Sequence, residues 1–211
     1  MPSFEIESSL HHDGYNLVAG IDEVGRGPIA GPVYAGAVIF PYGLDLKSTW
    51  LGLIDDSKKL TPFNREKAAK FIYASAAAVG IGSSNSTEVD SLGIVEATRV
   101  AMTRAIEKLP VSPDYLIVDH ISLPTTKLPF RSITKGDSQC YSIAAASIVA
   151  KVARDRIMVQ YNVNYPGYRF DLNKGYGTPA HLRQLRTLGP CSIHRFSFAP
   201  LQLWQTRRKS S

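Results

Sequence analysis

Apolar residues along this chain fall into short continuous runs and longer stretches with helical spacing. Asn16 to Asp22, NLVAGID, is a run of strand length entered from polar residues, and Val33 to Phe40, VYAGAVIF, is a second. The ten residues between them, Glu23 to Pro32, hold three glycines and two prolines. A link that short joins antiparallel neighbours more readily than it makes a parallel crossover. Ala76 to Ser83 is a third strand candidate. Before it a helix is predicted from Thr61 as N-cap and Pro62 at the first helical position.

From Ser86 to Leu109, the positions of Leu92, Val95, Ala101, Ile106 and Leu109 predict one helix. DYLIVDH, residues 114–120, is an apolar run that ends in an acid, the pattern of a central strand whose last residue emerges at the sheet end. FRSIT, residues 130–134, is a shorter strand. The strongest helix pattern lies in residues 135–161, with Asp137 or Ser138 as its cap and Ala144 to Ser147 small enough for close packing on a sheet. A loop follows at Tyr165 to Gly177, then a helix at Thr178 to Leu188. His11 and His12 lie near a loose end and are assigned no role. Strands and helices thus mix around one sheet, giving an α/β or mixed-sheet α+β class.

No apolar run approaches the roughly 18 residues of a membrane span. The N-terminus lacks the basic-then-apolar design of a signal peptide, so a cytoplasmic protein is expected. Cys140 and Cys191 form no CxxC pair, which argues against a structural zinc site. The net charge of +6 is unevenly spread. Residues 131–211 hold 13 Lys and Arg against three Asp, a balance of +10, while residues 1–130 carry −4. A cationic C-terminal third suits a polyanion.

The stretch GIDEVGRGPIAG, Gly20 to Gly31, invites a dinucleotide-loop reading that three features oppose. Its glycines follow GxGxxxG spacing; a strand follows where phosphate binding needs a helix N-terminus; and Asp22 and Glu23 would repel a pyrophosphate. Two readings of the acid pair stand at this point. The acids are solvated beside a turn, or they join Asp119 and Asp137, two further acids at element ends, in a cluster that needs compensating divalent metal. Adjacent strand residues point to opposite faces, so convergence of Asp22 and Glu23 requires the chain to bend at the loop.

GIDEVGRGPIAGPVYAGAV, DDSKKLT, LIVD, KGDSQCYSIAAASIVAKVARD, NKGYGTPAHL and GPCSIHRFSFAP, in this order, resemble prokaryotic ribonuclease HII, a type 2 ribonuclease H, over residues 16–200. The resemblance implies a ribonuclease H-like fold: a central five-stranded mixed sheet flanked by helices, within a single domain. Residues 16–160 would form the catalytic core and residues 161–211 a basic, helical, substrate-binding extension. It implies hydrolysis of the RNA strand of RNA–DNA hybrids. It also implies incision of duplex DNA 5′ of embedded ribonucleotides, leaving 3′-hydroxyl and 5′-phosphate ends and starting ribonucleotide excision repair.

The family's catalytic, metal-binding carboxylates fall on Asp22, Glu23, Asp119 and Asp137. Two Mg²⁺ or Mn²⁺ ions about 3.5–4 Å apart would activate water and neutralise the leaving oxygen. The family's ribose-sensing loop falls on Gly25, Arg26 and Gly27, its sugar-packing tyrosine on Tyr176, and a phosphate-facing lysine on Lys58. Arg183, Arg186 and the terminal TRRK would add non-specific phosphate contacts. His181 and His194 are read as buried or capping histidines. His120, Cys140 and Tyr141 depart from the family pattern. The first 15 residues are too few for the extra domain of type 3 enzymes. A monomer is expected. The rivals are a junction resolvase using the same acids and a catalytically silent nucleic-acid-binding protein.

Overall fold

In this computed structural model, residues 2–44, 49–54, 60–199, 201, 202 and 204 are described. The elements in chain order are α1 (Glu5–His12), β1 (Val18–Val24), β2 (Val33–Ile39), α2 (Pro62–Ser75), β3 (Ala78–Ser84), α3 (Ser86–Leu92), α4 (Ile94–Glu107), β4 (Tyr115–Asp119), β5 (Phe130–Ile133), α5 (Tyr141–Asn164), α6 (Phe170–Asn173) and α7 (Pro179–Leu188). The strands make one sheet of order β3-β2-β1-β4-β5. β1, β2 and β3 pair antiparallel, as the short Glu23–Pro32 link requires, whereas β4 joins β1, and β5 joins β4, in parallel. The sheet is therefore mixed and five-stranded.

Helices cover both faces. Ala101, Met102 and Ala105 of α4 pack on Ala19, Ile21, Ala35 and Ala37. On the other face Ala144, Ala145, Ala146 and Ile148 of α5 share a cluster with Val38 and with Ala68, Ala69 and Ile72 of α2. The approach of α5 is close because β2 offers no side chain at Gly36, where a Cβ would lie 2.3 Å from the Ala146 carbonyl oxygen. Small residues thus set the helix at backbone contact with β1 and β2, directly behind the acid-bearing end of the sheet.

Four details differ from the sequence reading, each for a local reason. The stretch 86–109 is two helices, because Gly93 takes φ 78° and ends α3, which opens with an Asn85/Glu88 capping box. The short helix α6 lies within the expected loop at 165–177. The supposed loose end contains α1, which buries Leu10 and Glu7. Neither Asp137 nor Ser138 caps α5. They lie in a separate 3-10 turn, Gly136–Ser138, and Cys140 at the N-cap makes no side-chain bond. The acceptor comes instead from Glu7, whose Oε1 accepts from the Ser142 N–H at 3.1 Å and the Ser142 hydroxyl at 2.7 Å. A carboxylate at a helix N-terminus satisfies an orphan donor and faces the positive end of the helix dipole.

Candidate active site

β1 extends two residues beyond the expected Asp22, so both Asp22 and Glu23 lie in regular strand. No bend turns them to one face. Asp22 faces α5 and is only 5% exposed, within hydrogen-bonding reach of the Ser147 hydroxyl. Its Oδ1 also accepts from the Glu23 N–H at 2.7 Å. Glu23 is half-buried. Its Oε1 takes a 3.3 Å bond from Arg26 Nη1, while its Oε2 is buried with no hydrogen-bond partner.

Parallel pairing of β1 with β4 aligns Ile21 with Val118, so the next residues, Asp22 and Asp119, come side by side toward the same end of the two strands. Asp119 Oδ1 accepts from the Gly136 N–H at 2.7 Å, and Gly136 opens the turn that carries Asp137. One backbone bond therefore brings the third and fourth acids together. His120, the residue that departs from the family pattern, takes the left-handed conformation at φ 54° and turns the chain sharply after Asp119.

Glu23, Asp119 and Asp137 open on one cavity of about 390 Å³, with His120, Arg26 and Lys135 on its rim. Burial pushes the Asp22 carboxyl well above the carboxylate range, and the neighbouring charges of Glu23 and Asp119 push it further. Glu23 is raised by its own burial and by Asp119, with Arg26 pulling the other way. Among the described residues, no group of three His, Cys, Asp or Glu side chains is arranged to hold a metal ion. The donor chemistry nonetheless fits a hard divalent cation. All four groups are carboxylates, and one buried oxygen, Glu23 Oε2, lacks any partner. Positive charge placed there would reverse the burial cost that raises both pKa values.

A second cavity, about 220 Å³, shares Glu23 and Arg26 with the first and is lined by Gly25, Gly27, Lys151 and Tyr176. Gly25 sits at φ 89°, and a Cβ there would meet Arg154 Nε at 2.2 Å. A Cβ at Gly27 would come 3.9 Å from the Tyr176 ring, which is 46% exposed. Loop and tyrosine thus face each other across the cavity. His181 Nδ1 donates to the Tyr176 carbonyl at 2.8 Å, and both His181 and His194 are buried, as the sequence suggested. Arg183 and Arg186 are exposed on α7. Lys58 and the terminal TRRK lie outside the described residues.

Three basic residues at the site escaped the sequence reading. Lys151 lines the second cavity and is held by Asp155 at 2.6 Å. Arg154 and Arg195 are fully buried behind the loop. The available signal was their setting, KVARD and IHRFSF, where an arginine interrupts an apolar or aromatic run.

A mixed five-stranded sheet with helices on both faces and carboxylates at the ends of adjacent central strands defines a ribonuclease H-like hydrolase. The ribonuclease HII family model matches residues 19–201. Ribonuclease HII of Geotalea uraniireducens is 49% identical over 194 residues, covering 92% of this chain and 88% of that protein. Ribonuclease H2 of Pyrococcus horikoshii superposes with a TM-score of 0.76 at 23% identity, over 92% of this chain and 100% of the other. Bst-RNase HIII in complex with Mn²⁺ gives 0.66 at 18% identity, over 95% and 73%. The chain belongs to the ribonuclease HII family, and so is a type 2 ribonuclease H, an endonuclease that acts on RNA–DNA substrates. No helix among the described residues is long and apolar enough to cross a membrane.

Proposed function

We propose that Asp22, Glu23, Asp119 and Asp137 hold divalent ions, Mg²⁺ or Mn²⁺, and that the enzyme incises duplexes on the 5′ side of a ribonucleotide as well as degrading RNA in hybrids. The observation that carries this reading is the pair of adjoining cavities. The acid-lined one shares Glu23 and Arg26 with the one formed by Gly25, Gly27 and Tyr176. A phosphodiester in the first would thus present its neighbouring sugar to the second. Bound divalent ions would supply a more acidic water and neutralise charge on the leaving 3′-oxygen.

The chain's own residues do the rest. The Gly136 N–H fixes the Asp119 carboxylate, and Ser147 and the Glu23 N–H fix Asp22. Arg26 bridges the cavities and restrains Glu23. Gly25 and Gly27 keep the loop free of side chains, so its backbone can approach the 2′-hydroxyl, the atom that separates RNA from DNA. Tyr176 packs on the following sugar. Lys151 faces phosphate, Lys58 is assigned the same role by the family resemblance, and residues 161–211, with Arg183 and Arg186, hold the duplex non-specifically. Such an activity would begin ribonucleotide excision repair.

The deciding experiment uses a duplex with a single ribonucleotide, with Mg²⁺, Mn²⁺ or chelator, and maps the cut to nucleotide resolution. Metal-dependent incision on the 5′ side, leaving a 3′-hydroxyl, is expected. Equal cutting of all-DNA junctions would replace this reading with a resolvase. Binding without any cutting would leave only a nucleic-acid-binding protein.

A further inference from the structure

Two buried guanidinium groups lie behind the glycine-rich loop without a carboxylate partner. Arg154, from α5, and Arg195, from the segment after α7, each have 0% exposure. Neither forms an ion pair among the described residues. Asp90, the acid acting on Arg195, is committed to the backbone N–H groups of Phe196 and Ser197 and to the Ser197 hydroxyl. Burying a charge without a counter-charge opposes folding strongly unless every donor finds an acceptor.

The acceptors here are carbonyls of one loop. Arg195 Nη2 donates to Gly25 O at 2.6 Å. Its Nη1 donates to Arg26 O at 2.9 Å and Pro28 O at 2.7 Å, and its Nε to Gly31 O at 2.9 Å. Arg154 donates from Nε to Pro32 O at 2.9 Å and from Nη2 to Ala30 O at 3.3 Å. Its remaining bond, Nη1 to Lys174 O at 3.0 Å, reaches the segment that carries Tyr176. The two segments are also joined directly, since the Ile29 and Ala30 N–H groups both donate to Gly175 O.

A planar trans peptide points its C=O and N–H in opposite directions. With the Gly25 and Arg26 carbonyls drawn inward to Arg195, the N–H groups of Arg26 and Gly27 must point away from it, toward the cavity side. Among the described residues neither N–H has a hydrogen-bond partner. Two adjacent, outward, unpaired donors above two buried positive charges form a face suited to a hydroxyl oxygen or phosphate oxygen.

We infer that Arg195 and Arg154 are positioning residues that set the peptide polarity of the ribose-facing loop, and that ribonucleotide discrimination depends on the forked geometry of Arg195 as well as on its charge. Lysine would keep the charge but cannot reach Gly25, Arg26, Pro28 and Gly31 together. Arg154→Lys, which leaves all four Arg195 bonds in place, should act more mildly and chiefly through the Tyr176 segment. The inference rests on the ribonucleotide-sensing reading given above.

The test uses the full-length chain without divalent metal. Binding is measured to a duplex with one ribonucleotide and to the same duplex in DNA, alongside thermal melting and ¹⁵N chemical shifts of the Arg26 and Gly27 amides. In the wild type the ribonucleotide duplex should bind more tightly and shift both amides. In Arg195→Lys that preference should fall on the order of tenfold or more, with all-DNA affinity within twofold of wild type and the amide response lost. Arg154→Lys should fall between. A folded Arg195→Lys that keeps the wild-type preference would overturn the inference while sparing the ribonucleotide reading. A wild-type preference of one would sink that reading and the inference with it. Failure of both variants to fold would also overturn it, assigning the arginines to stability alone.

Discussion

Two clusters of buried charge lie within one strand-and-loop of each other and are built on opposite plans. At the end of β1, Asp22 is buried beside Glu23 and Asp119, and Glu23 keeps one buried oxygen unpaired. A few residues on, Arg195 and Arg154 are buried with every nitrogen bonded to a carbonyl. The acids are left wanting positive charge, whereas no nitrogen of either arginine is without an acceptor. The difference separates a site made to receive a ligand from a frame made to hold a shape. A saturated group resists change, whereas an unsaturated one stores free energy that binding can release.

Loss of the most buried acid should break the comparison most sharply. The folded state holds the Asp22 carboxyl above its ordinary pKa, so its ionised form opposes folding at neutral pH. Asp22→Asn should therefore cut metal-dependent cleavage by at least about a hundredfold while the melting temperature stays level or rises. Paired cleavage and melting curves check both halves, and a lower melting temperature would show the acid to be structural. On the arginine side the sign reverses. Gly25→Ala must force an L-residue to φ 89° and push into the Arg154 guanidinium. It should cost about 2–3 kcal/mol of stability in denaturant titration, with activity lost in parallel.

The acid cluster was readable in the sequence and the arginine frame was not, and the reason is physical. Asp119 ends a continuous apolar run and Asp22 nearly ends another, so strand patterning alone placed them at sheet ends. Arginine is normally a surface residue, and nothing local reveals one whose partners are, but for the Lys174 carbonyl, carbonyls 122 to 170 positions away in sequence. Counting charge in residues 131–211 therefore overstated the basic surface, since Arg154 and Arg195 lie inside. The same blindness hid α1. A helix of eight residues with only two apolar ones, Ile6 and Leu10, is too short for its spacing to stand out. Gly93 broke the expected single helix because a left-handed φ is a choice of the backbone that apolar spacing does not record. Asp137 looked like a cap because Asp caps helices, yet its turn serves Asp119 instead.

Glu7 offers an intermediate case, half saturated. Oε1 caps α5 through Ser142, while Oε2 is buried without a partner, and burial raises the carboxyl's pKa. Glu7→Ala should lower stability by about 1–3 kcal/mol, because a buried helix-end donor loses its acceptor. Glu7→Gln, which keeps an acceptor and removes the charge, should cost less than half as much. Both should leave cleavage rates at saturating substrate unchanged, since neither Glu7 nor Ser142 lines either cavity of the site. Urea titrations with parallel cleavage assays decide it, and equal losses for Gln and Ala would show that the charge itself matters.

The smallest expected effect concerns the neutral pair behind Tyr176. His181 donates from Nδ1 to the Tyr176 carbonyl, so its Nε2 is free to accept from His194 Nε2, 3.1 Å away. His194 Nδ1 then accepts from the Cys191 N–H at 3.0 Å, which fixes both tautomers. Burial lowers both histidines, and the neighbouring His181 helps bring His194 down to about 4. A group whose folded pKa is depressed binds fewer protons when folded. Its stabilising contribution is therefore full above the unfolded value near 6.5 and is lost as pH falls toward 4. From pH 7 to pH 5 the His194 contribution is about 2 kcal/mol at most. The raised carboxyls of Asp22, Glu23 and Glu7 act with the opposite sign over the acid range. The informative quantity is thus the difference in pH slope between wild type and His194→Gln. Melting temperatures from pH 7 to 5 should fall more steeply in the wild type; parallel slopes would mean that the pair tolerates a proton and does not hold Tyr176 through a neutral chain.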